Sequence, residues 1–541
     1  MTDILLVQPP IRDFYLTAKR TVPYGLAGIA AVLIKNGFSV EILDGLATSR
    51  SRIVDLPKEM AYLRAIYDGP DNSPFALFHH FKHFGYSFEY IRDRARRSGA
   101  FLVGISSLFT PYRGEALKTA EIIKTGLPEC KIVMGGHHAT ALPEDLIESE
   151  AVDFVLRGDG EISLPLLARA LGTGFGIEEI PGLVRRIDGG SIRMAEPARM
   201  DDPGHYPLPA VQLIKHRYYQ RGKKSSAVIL ASRGCPMKCS YCSMRHSPDR
   251  PYGRRSVESV MTEIERAVQQ YDAGFIDFED ENLSLDRQWF SLLLEEIITR
   301  FGSINLELRA MNGLYPPSLD DEVIQAMARA GFKTLNLSLG STSARQLKRF
   351  QRPDVRTAFD RSLVAAQKYG LQAVGYVIAG APDQNASASI DDLLYLAGKR
   401  VLAGVSIFYP SPESPDYERC QKLGILPKSY ALMRSSALAV SHTTTRIESA
   451  TLLRLGRIVN FMKSLLDKGS SVPNAQPYSG EKKIAVDDRT ETGKKLLRWF
   501  LSDGKIRGVR PDGTMFIHDI SARLTRRFIE GLKKIQIRGC L

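Results

Sequence analysis

Short apolar runs alternating with helical segments constrain the fold of this chain more than any other feature. In residues 1–175 the runs are Ile4–Val7, Val40–Leu43, Leu102–Ile105, Lys131–Met134 and Phe154–Leu156, with Gly, Pro or Asp at their ends. Between the first two, Leu26, Ile29, Ala30, Leu33 and Ile34 recur at helical spacing, and Gly37 follows as a stop signal. Strand–helix alternation predicts a parallel sheet covered by helices on both faces. Ligands of such doubly wound sheets bind outside the carboxyl ends of the strands. Residues 50–95 break the rhythm with Phe75, Phe78, Phe81, Phe84, Tyr86 and Phe88, and read as an insertion with helices, not a strand unit.

Residues 176–224 carry Asp188-Gly189-Gly190 and several prolines, which predicts a hairpin and an extended linker. Alternation resumes at 225 with candidate strands Ala227–Ala231, Phe275–Phe278, Asn305–Leu308, Thr334–Leu339, Val374–Ile378 and Val405–Tyr409. A helix over 319–330 has Ser318-x-x-Asp321 as its capping box and Gly331 as its stop. Six strand–helix units fall short of the eight that close a barrel. Residues 225–410 therefore predict a partial (β/α)6 barrel with its active face at the strands' C-terminal ends. Beyond 411 the pattern weakens to a helical stretch over 449–466, turns between short strands over 504–513 and an amphipathic helix over 520–535, read as a C-terminal module, mainly α or α+β.

The chain has 541 residues and six cysteines, which is not a secreted disulfide framework. Its first ten residues lack a basic region and a long apolar stretch. No apolar run approaches the roughly 18 residues that cross a bilayer. A soluble, cytoplasmic protein with no membrane partner is expected. The net charge of +13 favours anionic partners without choosing among them. The basic residues Arg523, Arg526, Arg527, Lys533, Lys534 and Arg538 read as a solvated helix face.

Three of the cysteines lie within eight residues, Cys235-Pro-Met-Lys-Cys239-Ser-Tyr-Cys242, just after the first strand of the second unit. Soft thiolates suit iron–sulfur clusters. Three of them in one loop can each reach a different iron of a cubane, leaving the fourth iron for an exogenous chelator. The alternative is a Cys3His zinc site that adds His246.

The C-x3-C-x2-C spacing with Tyr241 before its last cysteine resembles the radical S-adenosylmethionine (SAM) superfamily. The resemblance implies that Cys235, Cys239 and Cys242 hold a 4Fe–4S cluster. SAM would chelate its open iron and be cleaved by one electron to a 5′-deoxyadenosyl radical. It implies SAM contacts from Tyr241 near the adenine, from Asp280 and Glu281 at the end of the second strand to the amino group, from Asn312 within Asn312-Gly313-Leu314, and from Gly380 in Gly375–Pro382. Gly340-Ser341-Thr342-Ser343 lacks the glutamate that many relatives carry there, so Ser338 or Ser341 is the substitute for a ribose contact.

The N-terminal unit, flavodoxin-like in its five strands, adds Pro23-Tyr24-Gly25-Leu26, Gly104-Ile-Ser106-Ser107-Leu108, Gly135-Gly136-His137-His138-Ala139 and Gly158-Asp-Gly-Glu161. In order and spacing these resemble the cobalamin-binding domain of class B radical SAM enzymes. The implied cobalamin contacts are Pro23, Tyr24, Gly25, Gly104, Ser106, Ser107, Leu108, Gly135, Gly136, His137, Gly158 and Glu161. The loop Gln8-Pro-Pro-Ile-Arg-Asp-Phe-Tyr15 has no histidine, which implies cobalamin without a protein histidine on cobalt.

The expected activity is methylation of an unactivated carbon of a small molecule or natural-product precursor, with methylcobalamin as donor and a second SAM restoring it. The alternative is a cyclase, ring-contracting or oxidising enzyme without net methyl transfer. A flavodoxin- or ferredoxin-like electron donor is the expected partner. Nucleic acid is disfavoured, because radical SAM methylthiotransferases of tRNA carry further N-terminal cysteines and residues 1–129 contain none.

Overall fold

The computed structural model describes residues 2–14, 22–244, 252–312 and 314–540. The N-terminal sheet runs Val40–Asp44, Ile4–Gln8, Leu102–Ser106, Lys131–Gly135, Phe154–Leu156, all parallel. This is the doubly wound order 2-1-3-4-5, whose switch point lies between the strands Ile4–Gln8 and Leu102–Ser106. The strands are mainly apolar because both faces are covered. Ile4 and Leu6 enter one core with Leu26, Ala30 and Leu33, while Leu5 and Val7 enter the other with Ile105, Ile123 and Met134. The hairpin Leu183–Arg186 and Ile192–Met194 joins this sheet as two antiparallel edge strands.

The insertion contains strands that the sequence reading did not anticipate. Ser51–Ile53 and Ile11–Asp13 pair antiparallel on either side of Lys82–Phe84. The helix Phe88–Ser98 then leads back to the main sheet, capped by Ser87 and ended by Gly99 in the left-handed region.

The barrel strands are Lys224–Ile229, Ala273–Phe278, Glu307–Ala310, Thr334–Gly340, Gln372–Ala379 and Leu402–Ile407. The first three pair parallel in one sheet and the last three in another. Parallel bridges Leu308–Phe332 and Leu314–Leu337 join the two sheets into one arc. The helix between the third and fourth strands is Asp321–Ala330, and its N-cap is Asp320, which accepts from Val323 N, in place of Ser318. Gly331 ends it with a φ of 110°.

The last strand's open edge is covered by the helix Arg446–Asp467. Its Asn460 accepts from Ala403 N at 2.8 Å and donates to Ala403 O at 2.9 Å. Residues after 410 do not build a core of their own. Leu452, Leu455, Val459, Phe500 and Phe528 pack in the same core as Phe278, Leu308 and Leu335, because an amphipathic helix must bury its apolar stripe against something. Lys463, fully buried in this helix, donates to the carbonyls of Ala397, Lys399 and Arg538. Arg523 and Arg527 of the final helix Ala522–Leu532 pair with Glu448 and Asp391, as a solvated face does.

Candidate functional site

The cysteine loop leaves the C-terminal end of the first barrel strand. Cys239 is buried, and Cys235 and Cys242 are half-buried. Burial pushes the free thiols of Cys235 and Cys242 up, the latter to about 11, so an unliganded loop keeps them protonated. Among the described residues, no three His, Cys, Asp or Glu side chains converge on a single-ion position. Three thiols in one loop suit a multi-iron cluster, in which each binds a different metal. His246, the fourth ligand of the zinc alternative, lies outside the described residues.

Other elements fix the loop. Ser240 N donates to Phe350 O at 2.9 Å, and Asp416 N donates to Ser240 O at 2.9 Å. Asp416 pairs with Arg349 at 2.6 Å. Tyr241 meets the Phe350 ring edge-on at 5.0 Å between centroids.

The two acids after the second strand have different surroundings. Asp280 is fully buried, and its carboxylate accepts from Ala231 N, Ser232 N and Ser232 Oγ. Desolvation raises it to about 6. Three of its hydrogen bonds are committed to the end of the first strand. Glu281 has a buried Oε2 with no hydrogen-bond partner. Desolvation raises it to about 7, and both Cys235 and Cys242 feel its charge. An orphaned carboxylate oxygen beside the cysteines fits a cationic ligand group.

Asn312 is exposed and donates to Glu279 at 2.7 Å; Gly313 lies outside the described residues. Ser338 is half-buried, and its carbonyl accepts from Arg352. Ser341 Oγ donates to Asp392. Gly380 has a φ of 78°, and a Cβ there would lie 2.6 Å from the Ala439 methyl. The room it leaves is filled by Ala439 of the C-terminal segment.

In the N-terminal sheet, Ser106, Ser107 and Leu108 end the third strand and Gly135, Gly136 and His137 end the fourth, at the carboxyl edge. Ser107 is buried with its Oγ unpartnered, and Leu108 is exposed. These features fit a ligand with polar and apolar parts. Gly25 faces open space. His137 is exposed, whereas His138 is buried between Thr110 and Asp145. A Cβ on Gly158 would strike the Ala198 backbone, one on Gly136 the Ser107 backbone, and one on Gly104 the Leu6 side chain. Those glycines serve close packing within the protein. Glu161 is buried and salt-bridged to Arg233 at 2.6 Å. Pro23 and Tyr24 are buried, and Tyr24 OH donates to Glu263 on the first barrel helix at 3.4 Å.

Residues 76–168 match the B12 binding domain family, and residues 229–394 match the Radical SAM superfamily. The chain therefore carries a B12 binding domain followed by a radical SAM domain. Its enzyme class works with cobalamin, a 4Fe–4S cluster and SAM. It is 25% identical over 427 residues, 72% of its own length and 75% of the relative's, to the cytidylyl-2-hydroxyethylphosphonate methyltransferase of Streptomyces wedmorensis. It is 30% identical over 265 residues, 48% of its own length and 46% of the relative's, to the anaerobic magnesium-protoporphyrin IX monomethyl ester cyclase of Rubrivivax gelatinosus. The fold is similar to that of the radical SAM methyltransferase TsrM of Kitasatospora setae, solved with cobalamin and cluster bound. That match has a TM-score of 0.61 and 18% identity, covering 84% of this chain and 91% of that one.

The junction of the B12-binding and radical SAM domains escaped the sequence reading. Arg233, two residues before Cys235, bonds Asp159 at 3.0 Å and Glu161 at 2.6 Å. The linker roofs two clefts there, one apolar beside Ile214, Tyr219 and Ala267, the other beside Tyr24, Glu161, Ser232 and Arg233; neither is lined by a cysteine. On the other side, buried Arg434 pairs with Asp13 at 3.1 Å and donates to the carbonyls of Arg12 and Pro111. Contacts that span from 72 to 422 residues leave no local sequence signal. Among the described residues, no helix is long and apolar enough to cross a membrane.

Proposed function

We propose that this enzyme holds its 4Fe–4S cluster on Cys235, Cys239 and Cys242 and methylates an unactivated carbon of a small molecule. The observation that carries the reading is the Arg233 clasp. It ties the cysteine loop of the radical SAM domain to a strand-end loop of the B12-binding domain, so the two cofactor-binding edges act as one site. Bound there, the cofactors supply a carbon-radical generator and a methyl donor, and the protein positions them. Glu281, with its free oxygen, receives the SAM ammonium, and Tyr241 packs beside the adenine. Ser106, Ser107 and Leu108 meet the cobalamin, with the Gly135–His137 turn beside them.

The methyltransferase relative, matched over most of both chains, favours methyl transfer to a small molecule. The cyclase relative supports the second reading, chemistry without net methyl transfer. The test is anaerobic and needs no substrate. The protein is reconstituted with iron, sulfide and hydroxocobalamin, desalted, reduced and given SAM. About four irons per chain and S-adenosylhomocysteine equal to the bound corrinoid are expected. Iron and corrinoid without S-adenosylhomocysteine would replace methylation by the second reading.

Lys238 is exposed in the cysteine loop, and Arg345 and Lys348 are exposed on the helix Ala344–Arg349, whose last carbonyl accepts from Ser240 of the loop, which supports an acidic flavodoxin- or ferredoxin-like donor in the cytoplasm. Its rate of cluster reduction should fall as salt screens the attraction; a salt-independent rate removes this support.

A further inference from the structure

Arg352 stands beside the cysteine loop without a carboxylate. Among the described residues it has no ion-pair partner. Its Nε is enclosed and unbonded. Its other nitrogens donate to Ser338 O at 2.7 Å, to Tyr241 OH at 3.2 Å and to Cys239 Sγ at 3.8 Å. Room is made for it: Gly340 has a φ of 80°, and a Cβ there would lie 3.1 Å from Arg352 Cδ. An enclosed guanidinium with no counter-charge is costly, and two neighbouring arginines are already engaged. Arg349 is paired with Asp416 and Asp383, and Arg233 with Asp159 and Glu161.

We propose that Arg352 is a positioning residue whose fixed charge and N–H···S bond to Cys239 balance the cluster. The inference rests on the assignment of Cys239 as a cluster ligand. A cluster held by three thiolates is anionic, and one-electron reduction makes it more so. A cation fixed against one ligand sulfur stabilises the reduced state more than the oxidised one, and hydrogen bonds to the sulfurs act in the same direction. Arg352 thus raises the midpoint potential and makes the cluster easier to reduce. The same side chain holds Tyr241 by its hydroxyl, so the setting of the potential and the packing of the SAM face share one anchor.

The test compares reconstituted wild type with Arg352→Gln by electron paramagnetic resonance at poised potentials, with dithionite as the one-electron source, and by iron content. A wild-type cluster whose reduction equilibrium falls about tenfold in the variant, 59 mV more negative for a one-electron couple, is the expected result. An unshifted potential at full iron content overturns the inference alone. Absence of a cluster signal in wild type overturns the cysteine assignment and the inference together. Should Arg352→Gln lose its iron, Arg352→Lys, which keeps charge but not the planar fork, is read by resonance Raman in D2O. The Fe–S stretches should respond less to deuterium than in wild type, and an identical response overturns the proposal.

Discussion

Neighbouring acids at the end of the second barrel strand do opposite work. Asp280 closes three hydrogen bonds in the interior, so Asp280→Ala should lower unfolding free energy by about 3 kcal/mol, since buried donors lose a charged acceptor. Glu281 has a buried oxygen without a partner, so Glu281→Gln should leave stability unchanged and weaken SAM retention. Urea unfolding and equilibrium dialysis separate the two, and equal destabilisation by both would contradict this division. The sequence showed a pair of acids where a cationic ligand could bind. It could not show which one turns inward, because the strand's alternation ends at Phe278. Gly380 illustrates the same limit: the Ala439 methyl that needs its space is 59 residues away along the chain, outside any local pattern. Asp392 gives a pH signature. It accepts from Ser341 Oγ, Thr342 N and Thr342 Oγ, yet desolvation dominates and raises it to about 6 from 3.8. The folded state therefore binds the proton more tightly. Its stabilising share is complete below pH 3.8 and is lost as pH rises through 6. Relative to Asp392→Asn, the wild type should lose on the order of 3 kcal/mol between pH 3.8 and 7. A constant difference between the two proteins across that window would show that the carboxyl is solvated.

Among the elements, the strands and helices with strong periodicity were legible and the short ones were not. Five apolar runs became the five parallel strands of the N-terminal sheet, because strands buried on both faces read as unbroken apolar segments. Ser51–Ile53 and Lys82–Phe84 have three residues each, too few for a period-two pattern to emerge. The first barrel strand begins at Lys224, ahead of its apolar run, because the polar Lys224–Ser226 segment pairs with the neighbouring Gln220–Arg221 at the rim. An arc of six strands leaves a free edge, which proteins must manage. Here one amide does so at its middle, since Asn460 answers both the N–H and the carbonyl of Ala403. Asn460→Leu should cost about 2 kcal/mol by leaving both groups buried and unpaired, readable as a lowered urea midpoint with unchanged slope. A variant as stable as wild type would mean that water satisfies that edge.

At the scale of the whole molecule, the sequence suggested successive units, whereas the structure joins them through shared cores and long-range pairs. Leu438 and Ala450 pack with Phe14 and with Met60 and Phe81 of the insertion, and Phe500 and Phe528 lie in the barrel core. A fragment of residues 1–410 should therefore be insoluble or molten, losing its sharp thermal transition; a monomeric, cooperatively unfolding fragment would show that the C-terminal residues are dispensable. The Arg233 clasp carries a consequence for the order of events after synthesis. The loop that receives iron takes part of its shape from Asp159 and Glu161, which belong to a domain translated earlier. Maturation then has a direction: the N-terminal sheet must be folded before the loop is set, and metal delivered sooner would meet a floppy chain that any thiophilic ion could claim.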